Sequence, residues 1–171
     1  SDSTGARWTA LLIVAFTMMM GYFITDVMSP LEVLLETPKA QGGLGWTAGD
    51  YGIFAGSYGF INVFLLMLFF GGIILDKMGV RFTAILSGLV MLTGACINWY
   101  AVTESFMGSS LEHWFSDNLN YIPLFDELGV SPFYAGMPAS AKLASIGFMI
   151  FGCGAEMAGI TVSRGIVKWF K

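Results

Sequence analysis

Positive charge is scarce in this chain: 171 residues hold eight Lys and Arg against twelve Asp and Glu, for a net charge of -4. A nucleic-acid partner needs a basic stripe to neutralise its phosphates, so that class is excluded. Cysteine is nearly absent too, and both copies, Cys96 and Cys153, sit inside apolar runs. They read as small hydrophobes, not as a disulfide framework or a metal knuckle. His113 is the single histidine and stands without partners, so it builds neither a metal site nor a catalytic dyad. No nucleophile, base and orienting group can be assembled from the sequence, which argues against an enzyme, and no motif calls for a cofactor. What is abundant is apolar. Hydrophobic residues make up 56% and charged residues 12%, and the mean hydropathy is +0.71. That is the composition of a protein built for lipid.

A helix rises 1.5 Å per residue, so about 20 apolar residues cross a hydrocarbon core of roughly 30 Å. Four runs meet that length: about 8–28, 51–75, 82–102 and 141–163. The predicted fold is therefore an all-α membrane protein with four transmembrane helices forming one bundle. The first run is too long, and lacks the small-residue cleavage site, to be a removed signal peptide. The connections differ in length. The second and third runs are joined only by Asp76 to Arg81, whereas a long segment, 105–140, separates the third from the fourth.

Cytoplasmic flanks collect Lys and Arg. With four alternating spans, Arg7, Lys77, Arg81, Arg164, Lys168 and Lys171 fall on one side, and only Lys39 and Lys142 on the other. Glu32, Glu36, Asp50, Glu104, Glu112, Asp117, Asp126 and Glu127 gather on that second side. Both chain ends are thus expected in the cytoplasm and the segment 105–140 outside. A loop of that length is usually structured or functional. Ser109 and Glu112 form a capping box, and Leu111, Trp114, Phe115 and Leu119 follow at helical spacing. A short amphipathic helix over about 110–120 is predicted, resting on the membrane surface or capping the bundle.

The short inner connection reads Gly72-Ile-Ile-Leu-Asp76-Lys77-Met-Gly79-Val-Arg81. Gly72 lets another helix approach closely. Asp76 can accept from nearby backbone donors or Arg81, and Gly79 permits the positive φ of a tight turn. The pattern resembles the signature G-x-x-x-D-[RK]-x-G-x-[RK] between the second and third helices of the major facilitator superfamily. Looser matches, Tyr22-Phe23 with Asp26 and Ser29-Pro30, Tyr51-Gly52 with Tyr58 and Asn62, and Arg164 with Lys168 to Lys171, look like its lysosomal dipeptide-carrier branch and bacterial relatives.

The resemblance implies the amino-terminal part of a major facilitator fold, in which two six-helix halves hold a solute between them at mid-membrane. It further implies that residues Gly72, Asp76, Lys77, Gly79 and Arg81 form a conformational-switch loop that latches one half against the other. It also implies placement in a plasma membrane of the bacterial inner-membrane kind. Only the first four helices are covered, so the chain is expected to be a piece of a longer carrier or a truncated relative, and to transport nothing by itself. The function expected is that of a secondary transporter or facilitator for a small polar organic solute, working by alternating access with a carboxy-terminal half. The alternative is a non-transporting accessory subunit of a larger membrane complex. The partners expected are the bilayer, the second half or that complex, and a small-molecule solute.

Ionisable groups inside a membrane are expensive and usually face a cavity or a partner. Glu156 is the leading candidate for a solute or proton site, because a carboxyl in low dielectric must find a partner or a proton. A structural Glu bonded within the bundle is the competing reading. Asp26 lies near the outer end of its span, and Tyr22, four residues earlier, shares its helix face. Tyr58 and Asn62 have the same spacing in the second span, where Asn serves equally well as glue between helices. Gly52, Gly56 and Gly59 form a small-residue face read as a packing surface, and Met18, Met19 and Met20 read as packing residues rather than a metal path.

Overall fold

Ser3 opens the first helix by accepting a hydrogen bond from the Ala6 amide on its side chain. From there α1 runs Thr4–Asp26 without a break. The computed structural model describes residues 3–64, 67–129 and 131–169. Leu65 and Leu66 of the second apolar run, and Phe170 and Lys171 of the basic flank, lie outside the described residues. A single 3-10 turn at Ser29–Leu31, set by Pro30, redirects the chain into α2, Glu32–Glu36.

The third helix, α3, covers Ala48–Phe64. Its start is a reciprocal cap: the Thr47 amide donates to Asp50 Oδ2 at 2.8 Å, and the Asp50 amide donates to Thr47 Oγ1 at 3.1 Å. Two of the amides that a helix start leaves unpaired are thereby satisfied. Next comes α4, Met67–Ala101, helical except at Gly79, whose φ of 83° and ψ of 166° only glycine adopts without strain. Two short helices follow, α5 at Ser110–Asp117 and α6 at Pro123–Glu127, and then α7, Ala139–Trp169.

The chain is an all-α, multi-span membrane protein. Among the described residues three stretches are long and apolar enough to cross a bilayer: Thr4–Glu36, Phe69–Ala101 and Ala139–Lys168. Their settings differ. Some 61% of the apolar stretch of α7 is buried, against 17% for that of α4 and 6% for that of α1, so α7 is the central post and α1 a flanking helix.

Contacts along α7 give the sense in which each neighbour runs. Trp46 Nε1 donates to Ser140 Oγ at 2.9 Å, Ser57 Oγ donates to the Ser145 carbonyl at 3.0 Å, and the Phe54 ring stacks on Phe148 at 4.7 Å. Further on, Gly71 meets Met157 and Ile160, and Asp76 pairs with Arg164. Positions on α3 and the leading arm of α4 therefore advance with α7. Beyond Gly79 the order reverses: Ser87 and Met91 face Gly154, and Gly94 faces Gly147 and Phe151. The reversal takes place with one residue outside helical geometry, where the sequence suggested a connection from Asp76 to Arg81.

The buried core lies at the Ala139 end of α7, where Trp46, Phe54, Phe106, Phe115, Phe133 and Phe148 cluster. Each ring buried there stabilises by about 1.5–3 kcal/mol relative to exposure to water. Deeper in the bundle, lipid removes that driving force and close packing takes over. Glycines supply it: a Cβ on Gly94 would stand 2.5 Å from the Gly147 carbonyl oxygen, and one on Gly152 would stand 2.1 Å from the Tyr58 carbonyl oxygen.

These small-residue contacts correct two expectations. Gly52, Gly56 and Gly59 have nothing within 4 Å of a built Cβ among the described residues, so that face of α3 is open and the packing glycines lie on α4 and α7. Gly72 is likewise open, and the close approach falls on Gly71, whose Cβ would lie 2.9 Å from Ile160 Cδ1. The reason is the 3.6-residue turn: adjacent positions point about 100° apart, and only one of them faces α7.

Helix α5 is capped by Ser109, whose Oγ accepts from the Glu112 amide at 3.1 Å. The Glu112 carboxylate reaches back to the Gly108 amide. Phe115 is buried and Leu119 packs on the core, while Leu111, Trp114 and His113 are exposed.

Candidate functional site

Tyr22 from α1, Tyr58 from α3 and Glu156 from α7 line one small cavity of about 50 Å³. Its existence follows from the residues around them. Gly21, Ala155 and Gly159 line the same space with almost no side chain, so the larger groups are not pressed together. Met18 and Met91 close it on two sides. Glu156 lies 17 positions after Ala139, about 26 Å along α7 by helical rise, and so sits near the middle of that helix.

Tyr58 is held by aromatic neighbours, with its ring centroid 5.5 Å from Phe148 and 6.5 Å from Phe151. No described side chain donates a hydrogen bond to the half-buried Glu156 carboxylate. A cavity of this volume holds a water or a few, since one water needs roughly 10–15 Å³. It does not hold an organic solute, so in this conformation the three groups border a partly open, water-sized space, with Tyr22 largely exposed.

Asn62 stands one turn beyond Tyr58 and does not line the cavity. Its Nδ2 donates to the Tyr58 carbonyl at 3.2 Å, and its Oδ1 is buried with no partner among the described residues. It lies against Gly152 of α7, behind the cavity wall. Asp26, one turn beyond Tyr22, is exposed outside the cavity, which ends at Thr25. The sequence grouped all five candidates; the geometry joins three of them.

At the far end of α7, Asp76 Oδ1 lies 3.1 Å from Arg164 Nη2. Arg164 is thus its partner, in place of Arg81 or a backbone donor. Lys77 and Arg81 are exposed, and Arg81 lines a second, larger cavity.

Two clusters escaped the sequence reading. Lys142 is fully buried, and its Nζ donates to the Phe115 carbonyl at 2.8 Å, the Asn118 carbonyl at 3.2 Å and Asn120 Oδ1 at 2.9 Å. Two of these acceptors are carbonyls at the end of α5, where the helix dipole favours a cation. Asp50 is also buried, and beyond its cap it accepts from the Tyr134 hydroxyl at 2.5 Å. That bond pushes the Tyr134 phenol above its ordinary range, with burial adding to the effect. The Thr47-x-x-Asp50 spacing was a signal for the cap; nothing local pointed to Tyr134 or to the partners of Lys142.

Among the described residues no three His, Cys, Asp or Glu side chains come together as a metal site. Compared with known proteins, the chain matches no family model, no curated protein and no solved structure.

Proposed function

We propose that this chain works as the amino-terminal portion of a secondary transporter of the major facilitator kind, moving a small polar organic solute in a bacterial inner membrane. The observation that carries the reading is the convergence of Tyr22, Tyr58 and Glu156, from three helices, on one cavity beside the middle of α7. In this reading α3 with the leading arm of α4 is one crossing and the trailing arm is the next. The reversal of contacts at Gly79 supports that division, which gives four crossings with both termini in the cytoplasm. Glu156 exchanges a proton or a cation with solute, and Tyr58 and Tyr22 orient what binds. A second bundle closes the open side, and rocking between the bundles exposes the cavity to each face in turn. The Asp76 turn biases that motion.

The test is proton-driven uptake of pooled small polar solutes into liposomes by the protein expressed from its complete reading frame. Glu156→Gln should abolish proton-coupled uptake, and Tyr58→Phe should weaken it with the fold intact by thermal denaturation. Undiminished coupled uptake by Glu156→Gln removes the carboxyl from the mechanism.

A second reading is favoured by α1, whose apolar stretch is only 6% buried. A transporter-derived subunit would use that flank to dock onto a larger complex. The mass of the native protein separates the two: close to the 18.5 kDa of this chain for the subunit, more than twice that for the carrier.

A further inference from the structure

The second cavity, about 660 Å³, lies toward the Trp169 end of α7 and is a different kind of space. Its volume is that of a ligand cavity, which typically spans about 300–1,000 Å³. Leu11 and Val14 of α1, Ala84 of α4, and Ala158, Val162 and Ile166 of α7 give it apolar walls.

Its hydroxyls are already committed. Thr17 donates to the Ile13 carbonyl at 2.9 Å, Ser87 to Ala84 at 2.9 Å and Thr161 to Met157 at 2.7 Å, each within its own helix. These hydroxyls therefore offer a polar solute no free donor. Among the described residues the charged side chains that line the cavity are Arg81 and Lys168, and no Asp or Glu does. Among the described residues neither cation pairs with a carboxylate, because Asp76 is taken by Arg164. Arg7, one turn before Leu11 on α1, adds a third positive group at this end.

An apolar chamber between helices long enough to cross a membrane, with unpaired cations at its rim, fits a molecule that is greasy along its length and anionic at one end. We propose that this cavity binds one acyl chain of an anionic phospholipid, with the phosphate held by Arg81 and Lys168. Cations beside a membrane surface attract anionic headgroups, and a phosphate oxygen gives each a strong acceptor. The site is separate from the Glu156 cavity, which it touches only through Met18. It requires insertion in a bilayer and does not depend on transport.

The test uses the full chain purified in detergent, offered phosphatidylglycerol or phosphatidylcholine with the same acyl chains, with retained lipid read by native mass spectrometry. Phosphatidylglycerol should be retained and should raise the thermal midpoint, while phosphatidylcholine is washed away. The double variant Arg81→Gln with Lys168→Gln, both exposed positions, should lower retention about tenfold or more without shifting the midpoint in detergent alone. Ala158→Trp, which narrows the chamber from its α7 wall and leaves its cations in place, should also lower retention. Glycerophosphate and inorganic phosphate should not displace the lipid. Equal retention of the two lipids, or full retention by the double variant, overturns the proposal. Displacement by inorganic phosphate overturns it too, in favour of a phosphate site that makes no use of the apolar walls.

Discussion

Arg164 and Asp76, 88 positions apart in sequence, meet at 3.1 Å and tie the basic end of α7 to the turn that reverses α4. Both side chains are about two-thirds exposed, at 64% and 66%, so screening by water leaves the pair worth under about 1 kcal/mol. Asp76→Asn should therefore leave the thermal midpoint almost unchanged. Its effect belongs to conformation. Thiol cross-linking between Asp76→Cys and Arg164→Cys with a bifunctional reagent whose spacer replaces the length of the arginine side chain should proceed readily, and a pair that fails to cross-link in membranes would show that the contact is not held there.

Removing Lys142 should have a larger cost. Lys142→Met keeps the apolar stem but leaves the Phe115 and Asn118 carbonyls and Asn120 Oδ1 without their donor. A loss of about 2–4 kcal/mol is expected from three orphaned acceptors, less the relief of burying no charge. Hydrogen exchange should accelerate selectively in α5 while the middle of α7 stays protected. Uniform acceleration along the chain would mean that Lys142 supports the bundle as a whole.

The Tyr134 hydroxyl gives the fold a dependence on alkaline pH. Its phenol titrates above its usual value of 10.0 because it donates to the Asp50 carboxylate. A raised folded value means that the contribution is complete below the unfolded value and is lost as pH rises through the folded one. Wild-type stability should fall above pH 10 more steeply than that of Tyr134→Phe, as thermal midpoints from pH 8 to 11.5 will show. Parallel curves would place the bond outside the folding equilibrium.

Glycine substitutions should divide by neighbour rather than by helix. A methyl on Gly152 meets the Tyr58 carbonyl at 2.1 Å, a backbone atom that cannot step aside, so Gly152→Ala should destabilise by about 1–3 kcal/mol or more. Gly56 has open space, and Gly56→Ala should gain about 0.5–1 kcal/mol from helix propensity. The midpoints of the two variants should move in opposite directions.

The all-helical, multi-span character was legible because apolar runs of bilayer length leave few alternatives. Thr47 and Asp50 show the limit of local reading: their spacing marks a helix start, but Tyr134, which completes the cluster, is distant in sequence. The same holds for Asp76, whose partner could not be chosen among several cations before the helices were arranged. Glu156 and Tyr58 were legible as polar groups in apolar surroundings, and Tyr22 less so. Asp26 stands outside that cavity, since sharing a helix face with Tyr22 does not fix where a cavity ends. Gly72 and Gly71 differ only in the direction they point, which is set by the rotation of α4 against α7.

The turn at Gly79 has no slack. With a single residue outside the helical conformation, the two arms of α4 are joined with almost no connecting chain, so their relative placement rests on one glycine. Lengthening that corner by even a short flexible insert would uncouple the arms, so an epitope tag placed there should disturb this molecule far more than one placed among residues 38–45.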